Sequence, residues 1–519
     1  MKKQLDVEVA SLAKSVLSPV DEHDSSDKRL QELGYKREFR RDMSFFGVLG
    51  ISFCAIGILT GMSSAFQTGL FSGGPLGLFW GWNVMSFFML LIALALAEIC
   101  SAYPTIGGLY FWVCKMKPET PVLGCTNTIY HSGFGAETQP SVALYLACLA
   151  EVGQNRTLTR VEITAIAWGV NIASGIINTV GTKGIGAMSS LNVWWTLGGT
   201  FVLVITLLVK APVKPSAKSI VLNRPHGWSS YTGWRNRGFV VLLGFLQAVY
   251  SLEGCETAAQ VAEEAQRAEI LAPLAVVGSV VGSWLIGLAY MLALLFSVQS
   301  IARVQETTYA LPITQLFYDA VGQRLTLMCV SVIAISQFMA AVTGFTASSR
   351  LFYALSRDNA FPMKERFMRL NRFQAPYWGV WLSVILGCII SCAYIGSVVA
   401  FNAILSSAAV AVMLSYLQPI LIRVFWPSTS LPERGPFNLG RWSWAVNFAS
   451  FLFSVFICVL FILPTSYPVN ALNMNYAIVA IGGVIVLVGL CWLFWGRYRF
   501  TGPVKTLTQV AEQTSSKYE

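Results

Sequence analysis

The sequence predicts an all-α polytopic membrane protein, and three observations lead there. Hydrophobic residues fill 55% of 519 positions and charged residues only 12%, with a mean hydropathy of +0.59; a soluble domain needs far more polar surface. Apolar runs of about 20 residues, enough to cross a bilayer as a helix, recur along the chain. The excess of basic residues, a net charge of +10, is spread between those runs. That is the pattern of membrane loops rather than of a nucleic-acid-binding surface.

Residues 1–43 are polar and charged, with no apolar stretch before a small-residue cleavage site, and read as a disordered cytosolic tail. Eleven spans follow, at 44–71, 77–100, 161–181, 187–209, 238–258, 273–298, 325–350, 377–398, 400–424, 443–464 and 474–496. Between the second and third, "GGLYFWVCKM" (107–116) begins like a helix and then stops. A second apolar piece, "SVALYLACLA" (141–150), is too short to cross alone.

Charge settles the count. Segment 356–376 carries Arg357, Lys364, Arg366, Arg369 and Arg372 and should face the cytosol. With the N-terminus inside, eleven crossings put it outside and twelve put it inside. Region 107–152 is therefore expected to cross once, as an incomplete third helix. "NRT" (155–157), an N-glycosylation pattern, would then lie outside. The connecting loop 210–237, with six basic residues, runs against the rule. The last residues, 497–519, form a second cytosolic tail.

Several function classes drop out. Eleven cysteines are scattered without a CxxC pair, and the three histidines lie outside apolar runs, so no metal site or disulfide framework is expected. There is no GxxxxGK[ST] phosphate loop. A membrane enzyme would need clustered His, Asp or Cys at one membrane face, and none is written here. No cofactor is expected.

Five motifs carry a likeness to known proteins: "GGP" (73–75), "LAEICSAYPTIGGLYFW" (96–112), "GCETAAQVAEE" (254–264), "SRLFYALSRDNAFP" (349–362) and "ERGPFNLGRWS" (433–443). In this order they resemble the amino acid–polyamine–organocation (APC) transporter superfamily, most closely its fungal choline, GABA and amino acid permeases. The resemblance runs from about 33 to 500. It implies a LeuT-like core of two inverted five-helix repeats, 44–209 and 238–424, plus two C-terminal helices within 443–496. The family has a full third helix after "GGLYFW", and this chain departs there. The resemblance implies a secondary active transporter for a small amino acid or organic cation such as GABA or choline, coupled to protons and working by alternating access. Its partners would be the solute, protons and the bilayer, with the plasma membrane favoured over the vacuolar one. Two alternatives share the fold: a nutrient receptor that does not transport, and an inactive variant lacking part of helix three.

Such folds bind solute where helices unwind at mid-membrane and line a cavity. Glycine makes unwinding cheap. The first span has Gly57, Thr60, Gly61, Ser63 and Ser64 in "CAIGILTGMSSAF" (54–66), and the first span of the second repeat has "SLEGCETAA" (251–259). A helix restarting there would aim N–H groups and a partial positive charge at a carboxylate, which nominates Gly57 and the backbone at Leu59, Thr60 and Gly61. The same glycines would also let helices pack closely. From Phe239 to Ser251 a helix covers about 20 Å, so Glu253 falls within the membrane, where an acid is a functional-site hypothesis. By the family likeness Tyr250 stacks over the solute beside Gly254, and Glu256 is a proton-sensitive carboxylate. Glu253 suits a cationic group or a coupling proton. Weaker candidates are Lys183, Gln337, Thr343 and Glu98. Glu263 and Glu264 are expected at the cytosolic surface, favouring the start of a short helix.

Overall fold

A computed structural model describes residues 25–498 except 36, 40, 118–137, 181, 218–219, 221–231, 360–362, 428–429, 432, 472–473, 492 and 495–497. Among the described residues, nine helices are long and apolar enough to cross a membrane, and two shorter apolar ones accompany them. A short helix, α1 (Ser25–Glu32), leads to α2 (Phe45–Ile56) and α3 (Ile58–Ala102). Helix α3 is two helical rods joined at a kink, because Gly74 (φ 61°, ψ −167°) precedes Pro75: glycine accepts that backbone, and proline withholds an N–H from the helix ladder. The first two expected spans thus appear as one bent rod with a break near its start.

Helix α4 (Gly108–Met116) and helix α5 (Thr138–Gln154) occupy the region expected to hold an incomplete third helix. With 17 residues, α5 is about 25 Å long, short of the roughly 30 Å of hydrocarbon. The part between them, 118–137, lies outside the described residues. Helices α6 (Arg160–Thr179) and α7 (Thr182–Lys210) follow. Thr159 and Glu162 form a reciprocal cap at the start of α6, satisfying N–H groups that a helix leaves open.

The second half starts with α8 (Arg237–Leu252), a 3₁₀ segment (Cys255–Glu264) and α9 (Ala268–Ser297). Then come α10 (Ile313–Arg357), bent at Gly322, α11 (Tyr377–Gly396) and α12 (Val398–Phe425). Helices α13 (Ser443–Ile462) and α14 (Ala477–Cys491) complete the bundle. Helices α8 and α9 pack along α3, α10 packs on α5 and α7, and α12 packs on α13. Trp194, Phe201, Ile389 and Val459 stay exposed on outer faces, the surface a lipid-embedded bundle presents.

Three expectations need correction. The described part of residues 25–43 is not a disordered tail; of the span 1–43, residues 1–24, 36 and 40 lie outside the described residues. Leu30, Leu33, Tyr35 and Phe39 are buried. Arg29 donates to the Ala102 carbonyl at 3.1 and 3.0 Å, and the Met43 N–H donates to Glu264 O at 3.1 Å. Four apolar side chains are sufficient to anchor a strap whose overall composition is polar. Second, the span expected over 238–258 is α-helical only to Leu252. Third, Glu263 and Glu264 are buried, not solvated. Arg357 grips Glu263 through two bonds of 3.1 Å, and Arg350 Nε lies 2.9 Å from Glu264. The Arg357 guanidinium also lies 3.9 Å from the centre of the Tyr35 ring. Burial, then the neighbouring Asp358, push the Tyr35 phenol well above its ordinary pKa. It therefore remains a donor to Asp358 at 2.9 Å.

This end of the bundle is thus closed by the strap and two buried ion pairs. Removing one partner of a buried pair strands the other charge, at a cost of about 3–5 kcal/mol. Arg357→Ala should lower the thermal midpoint of the detergent-solubilised protein accordingly, and Arg357→Gln with Glu263→Gln should lower it less. A single variant as stable as the parent would show that Glu263 does not depend on Arg357.

Candidate functional site

Both expected helix breaks are present, and each is made by a glycine at positive φ. Helix α2 ends at Gly57 (φ 57°, ψ 55°), whose N–H still donates to Phe53 O. The chain restarts at once: Thr60 N and Gly61 N donate to Gly57 O at 3.0 and 2.7 Å. Helix α8 ends at Glu253, which is extended, and Gly254 (φ 107°, ψ 2°) turns the chain into the 3₁₀ segment. In both turns a threonine three residues on locks the glycine carbonyl. Thr60 Oγ1 donates to Gly57 O and Thr257 Oγ1 to Gly254 O, each at 2.8 Å.

The two breaks touch. A Cβ on Gly254 would sit 3.0 Å from the Ala55 carbonyl carbon, and one on Gly61 would sit 3.2 Å from Ser251 Cα. The Ser52 hydroxyl donates to Cys255 O across the same contact. Helix α12 ties in from the side: the Gly254 N–H donates to Tyr416 Oη at 3.0 Å, and the Tyr416 hydroxyl donates to the Glu256 carboxylate.

Between the breaks lies an inner pocket of about 50 Å³, walled by Gly57, Thr60, Gly61, Tyr250, Glu253 and Gln337, among others. It shares Ser64, Ser141 and Tyr250 with an outer chamber of about 570 Å³, within the range of small-molecule sites. The outer chamber reaches Tyr309–Pro312, Thr465 and Asn475, loop residues at the end of the bundle opposite the strap. Helix α5, short as it is, supplies Ser141 to both chambers and Tyr145 to the outer one, and the Tyr145 hydroxyl donates to Thr60 O at 3.2 Å.

Of the residues nominated from sequence, Gly57, Thr60, Gly61, Tyr250 and Glu253 come together in this wall. Leu59 is fully buried, and Leu59, Gly254 and Glu256 stand outside the wall of the inner pocket. Gly254 instead backs onto the first break, and Glu256 turns to Tyr416. Thr343 is buried and donates to Met339 O at 3.0 Å. Glu98 is buried, accepting from Arg423 at 3.3 Å, Leu439 N at 3.1 Å and Ser443 at 2.5 Å. The Lys183 side chain lies outside the described residues. Ser141, Tyr145 and Tyr416 were missed by inspection of the sequence. The first two sit in the run singled out only for its shortness, and nothing marks Tyr416 within its apolar span.

A family model described as amino acid permease matches residues 43–486. The chain is 31% identical over 507 residues to the amino-acid permease BAT1 of Arabidopsis thaliana, covering 93% of this chain and 97% of that one. It is also 31% identical to the rice (Oryza sativa subsp. japonica) homologue of BAT1, covering 93% and 96%. With the GABA-specific permease of Saccharomyces cerevisiae it shares 27% identity over 500 residues, 93% of this chain and 86% of the other.

The contact between the breaks gives a direct expectation. Gly254→Ala combines an unfavourable positive φ with a clash against main chain, and should cost about 1–3 kcal/mol. Gly482→Ala, which meets nothing within 4 Å, should stay within about 0.5 kcal/mol of the parent. Thermal melts of both purified variants measure this, and equal midpoints would contradict close packing at Gly254.

Proposed function

This chain belongs to the amino acid permease family, a family of membrane transporters, and we propose that it carries a small amino acid or organic cation by alternating access. The observation that carries the proposal is the inner pocket walled by both helix breaks and continuous, through Ser64, Ser141 and Tyr250, with a chamber at one end of the bundle. The opposite end is packed by the strap and the Glu263–Arg357 and Glu264–Arg350 pairs. That asymmetry suits an outward-facing state, with segments 44–209 and 238–424 as the two repeats whose relative tilt exchanges access. The solute would lie against Gly57, Thr60 and Gly61, with the backbone from Leu59 onward forming the positive end of the restarted helix, and against Tyr250 and Glu253 on the other break. Gly254 would act by setting the turn.

Proton coupling belongs to the proposal through Glu256. An ionised carboxylate accepts the Tyr416 hydroxyl, whose oxygen in turn accepts the Gly254 N–H. A protonated Glu256 becomes a donor as well, competes for Tyr416 and loosens the turn that holds the second break. Proton binding would thereby couple to the geometry of the pocket without touching the solute. Helix α5, though short, still brings Ser141 and Tyr145 to the chambers, which favours a working transporter over an inactive variant. A non-transporting receptor would bind solute but show no saturable uptake.

Glu256→Gln removes the titration and should flatten the pH dependence of uptake. Proteoliposomes loaded with buffer and given radiolabelled alanine or γ-aminobutyrate across a pH series measure it. An unchanged profile would remove Glu256 from the coupling step, and absence of saturable uptake by the parent chain would overturn transport of these solutes.

A further inference from the structure

The segment that joins α10 to α11 has a fixed shape and one charged side. Within 364–372, the cations Lys364, Arg366, Arg369 and Arg372 are offset by one acid, Glu365. Among the described residues none of the four makes an ion pair. The other side of the segment is anchored. Phe367 is buried, its ring 6.5 Å from that of Phe352 on α10, and Met368 and Leu370 pack against the cluster that holds the strap's Phe39. The Asn371 side chain closes a turn by accepting from Phe373 N and Ala375 N at 2.8 and 3.0 Å, and it donates to Thr179 O at the end of α6, at 2.8 Å. Arg366, Arg369 and Arg372, all exposed, are thereby held three residues apart on a surface that the fold determines. The positive-inside rule asks only for charge in such a loop; it does not ask for anchors.

The same segment meets the lipid-facing surface. Tyr377 and Trp378, in the first turn of α11, are each 43% exposed, and Ile385 and Ile389 continue the exposed face of Trp378 at spacings of seven and four, as one side of a helix does. Tryptophan and tyrosine collect at headgroup level in membrane proteins, which puts this turn at the boundary of the hydrocarbon. The Arg366 guanidinium lies 5.8 Å from the centre of the Trp378 ring, and that of Arg372 lies 4.6 Å from the Phe373 ring. The cations therefore stand at the level of that boundary. A guanidinium presents paired N–H groups that match the oxygens of phosphate and carboxylate. A molecule with an anionic head and apolar chains engages the arginines and the apolar stripe together; a free anion engages the arginines alone.

We infer that Arg366, Arg369 and Arg372 form a binding site for the head group of an anionic phospholipid, whose acyl chains lie along the Trp378–Ile389 face of α11. The site is separate from both chambers and needs no solute.

The test is a thermal-shift titration of the purified full chain in neutral detergent with dioctanoyl phosphatidylserine, dioctanoyl phosphatidylcholine and inorganic phosphate, since a ligand that binds the folded state raises its midpoint with concentration. Phosphatidylserine should give a saturable shift and bind at least about tenfold more tightly than phosphatidylcholine or phosphate. An arginine beside anionic lipid is worth about fivefold in affinity. Arg366→Gln, Arg369→Gln and Arg372→Gln should each weaken phosphatidylserine binding by about that factor, and the three together by at least about fiftyfold. The single variants carry the comparison if the triple variant does not fold. Arg434→Gln with Arg441→Gln, at exposed arginines elsewhere on the strap end, should leave binding within about twofold of the parent. Absence of a phosphatidylserine shift overturns the inference, as does equal binding of phosphatidylcholine. So does unchanged affinity in the three variants, or an equal loss in the Arg434 and Arg441 variant. Phosphate binding as tightly as phosphatidylserine overturns the lipid in favour of a free anion.

Discussion

The close approach of two interrupted helices is the constraint on which the rest of the structure depends. Backbone without helical hydrogen bonds is tolerated at membrane depth only where protein or a water-filled cavity surrounds it, so each break needs the other. A Cβ at Gly254 would lie 3.0 Å from the Ala55 carbonyl carbon and one at Gly61 3.2 Å from Ser251 Cα, both tighter than ordinary contact. The chemistry of the two turns is the same: a glycine at positive φ, followed three residues later by a threonine whose hydroxyl donates to the glycine carbonyl at 2.8 Å. Gly57–Thr60 and Gly254–Thr257 are one device used twice, once in each half of the chain. The threonine satisfies a carbonyl that the missing helix leaves open, and the glycine supplies the turn.

At the strap end of the bundle, buried charge is matched in pairs. Glu263, Glu264, Arg350, Arg357, Glu98 and Arg423 are all buried, and each acid meets a guanidinium. Buried pairs of this kind add little net stability relative to apolar packing, but leaving one partner alone is expensive. They therefore act as a condition on closure: this end packs only when all its pieces arrive together, including the strap. The strap contributes Tyr35 against both Arg357 and Asp358, and Arg41 to the Ala265 carbonyl at 2.9 Å. Separating the first half from the second at this end means breaking a set of interactions that no single helix owns.

The all-helical architecture and the two helix breaks were legible in the chain because both rest on local signals. Length and hydropathy mark the spans, and glycines inside apolar runs mark the breaks. What stayed hidden depends on contacts between distant residues. Glu263 and Arg357 are 94 positions apart, as Tyr416 and Glu256 are 160 apart, and no periodicity links them. Which of the nominated residues border the pocket, with Leu59 and Gly254 outside its wall, was hidden for a different reason. The direction a side chain takes follows from helical phase, and phase is lost at a break, so proximity in sequence does not tell which residue faces the hollow. The strap was misread because polar composition outweighed four spaced apolar residues, Leu30, Leu33, Tyr35 and Phe39, that serve as its anchors. One signal was available and went unused: the repeated Gly-x-x-Thr at 57–60 and 254–257.

Helix α5 serves the pocket from its first turns. Helix α5 begins at Thr138, and three residues later Ser141 already lines both chambers. The portion that is present runs from the level of the pocket toward the end where the outer chamber lies, where Glu151 accepts the Ala310 N–H at 3.0 Å. Tyr145 is held to Thr60 O just after the first break, so α5 braces the restarted helix over its first turn. The contacts that α5 makes with the pocket and the elements around it lie between Ser141 and Glu151, within its 17 residues.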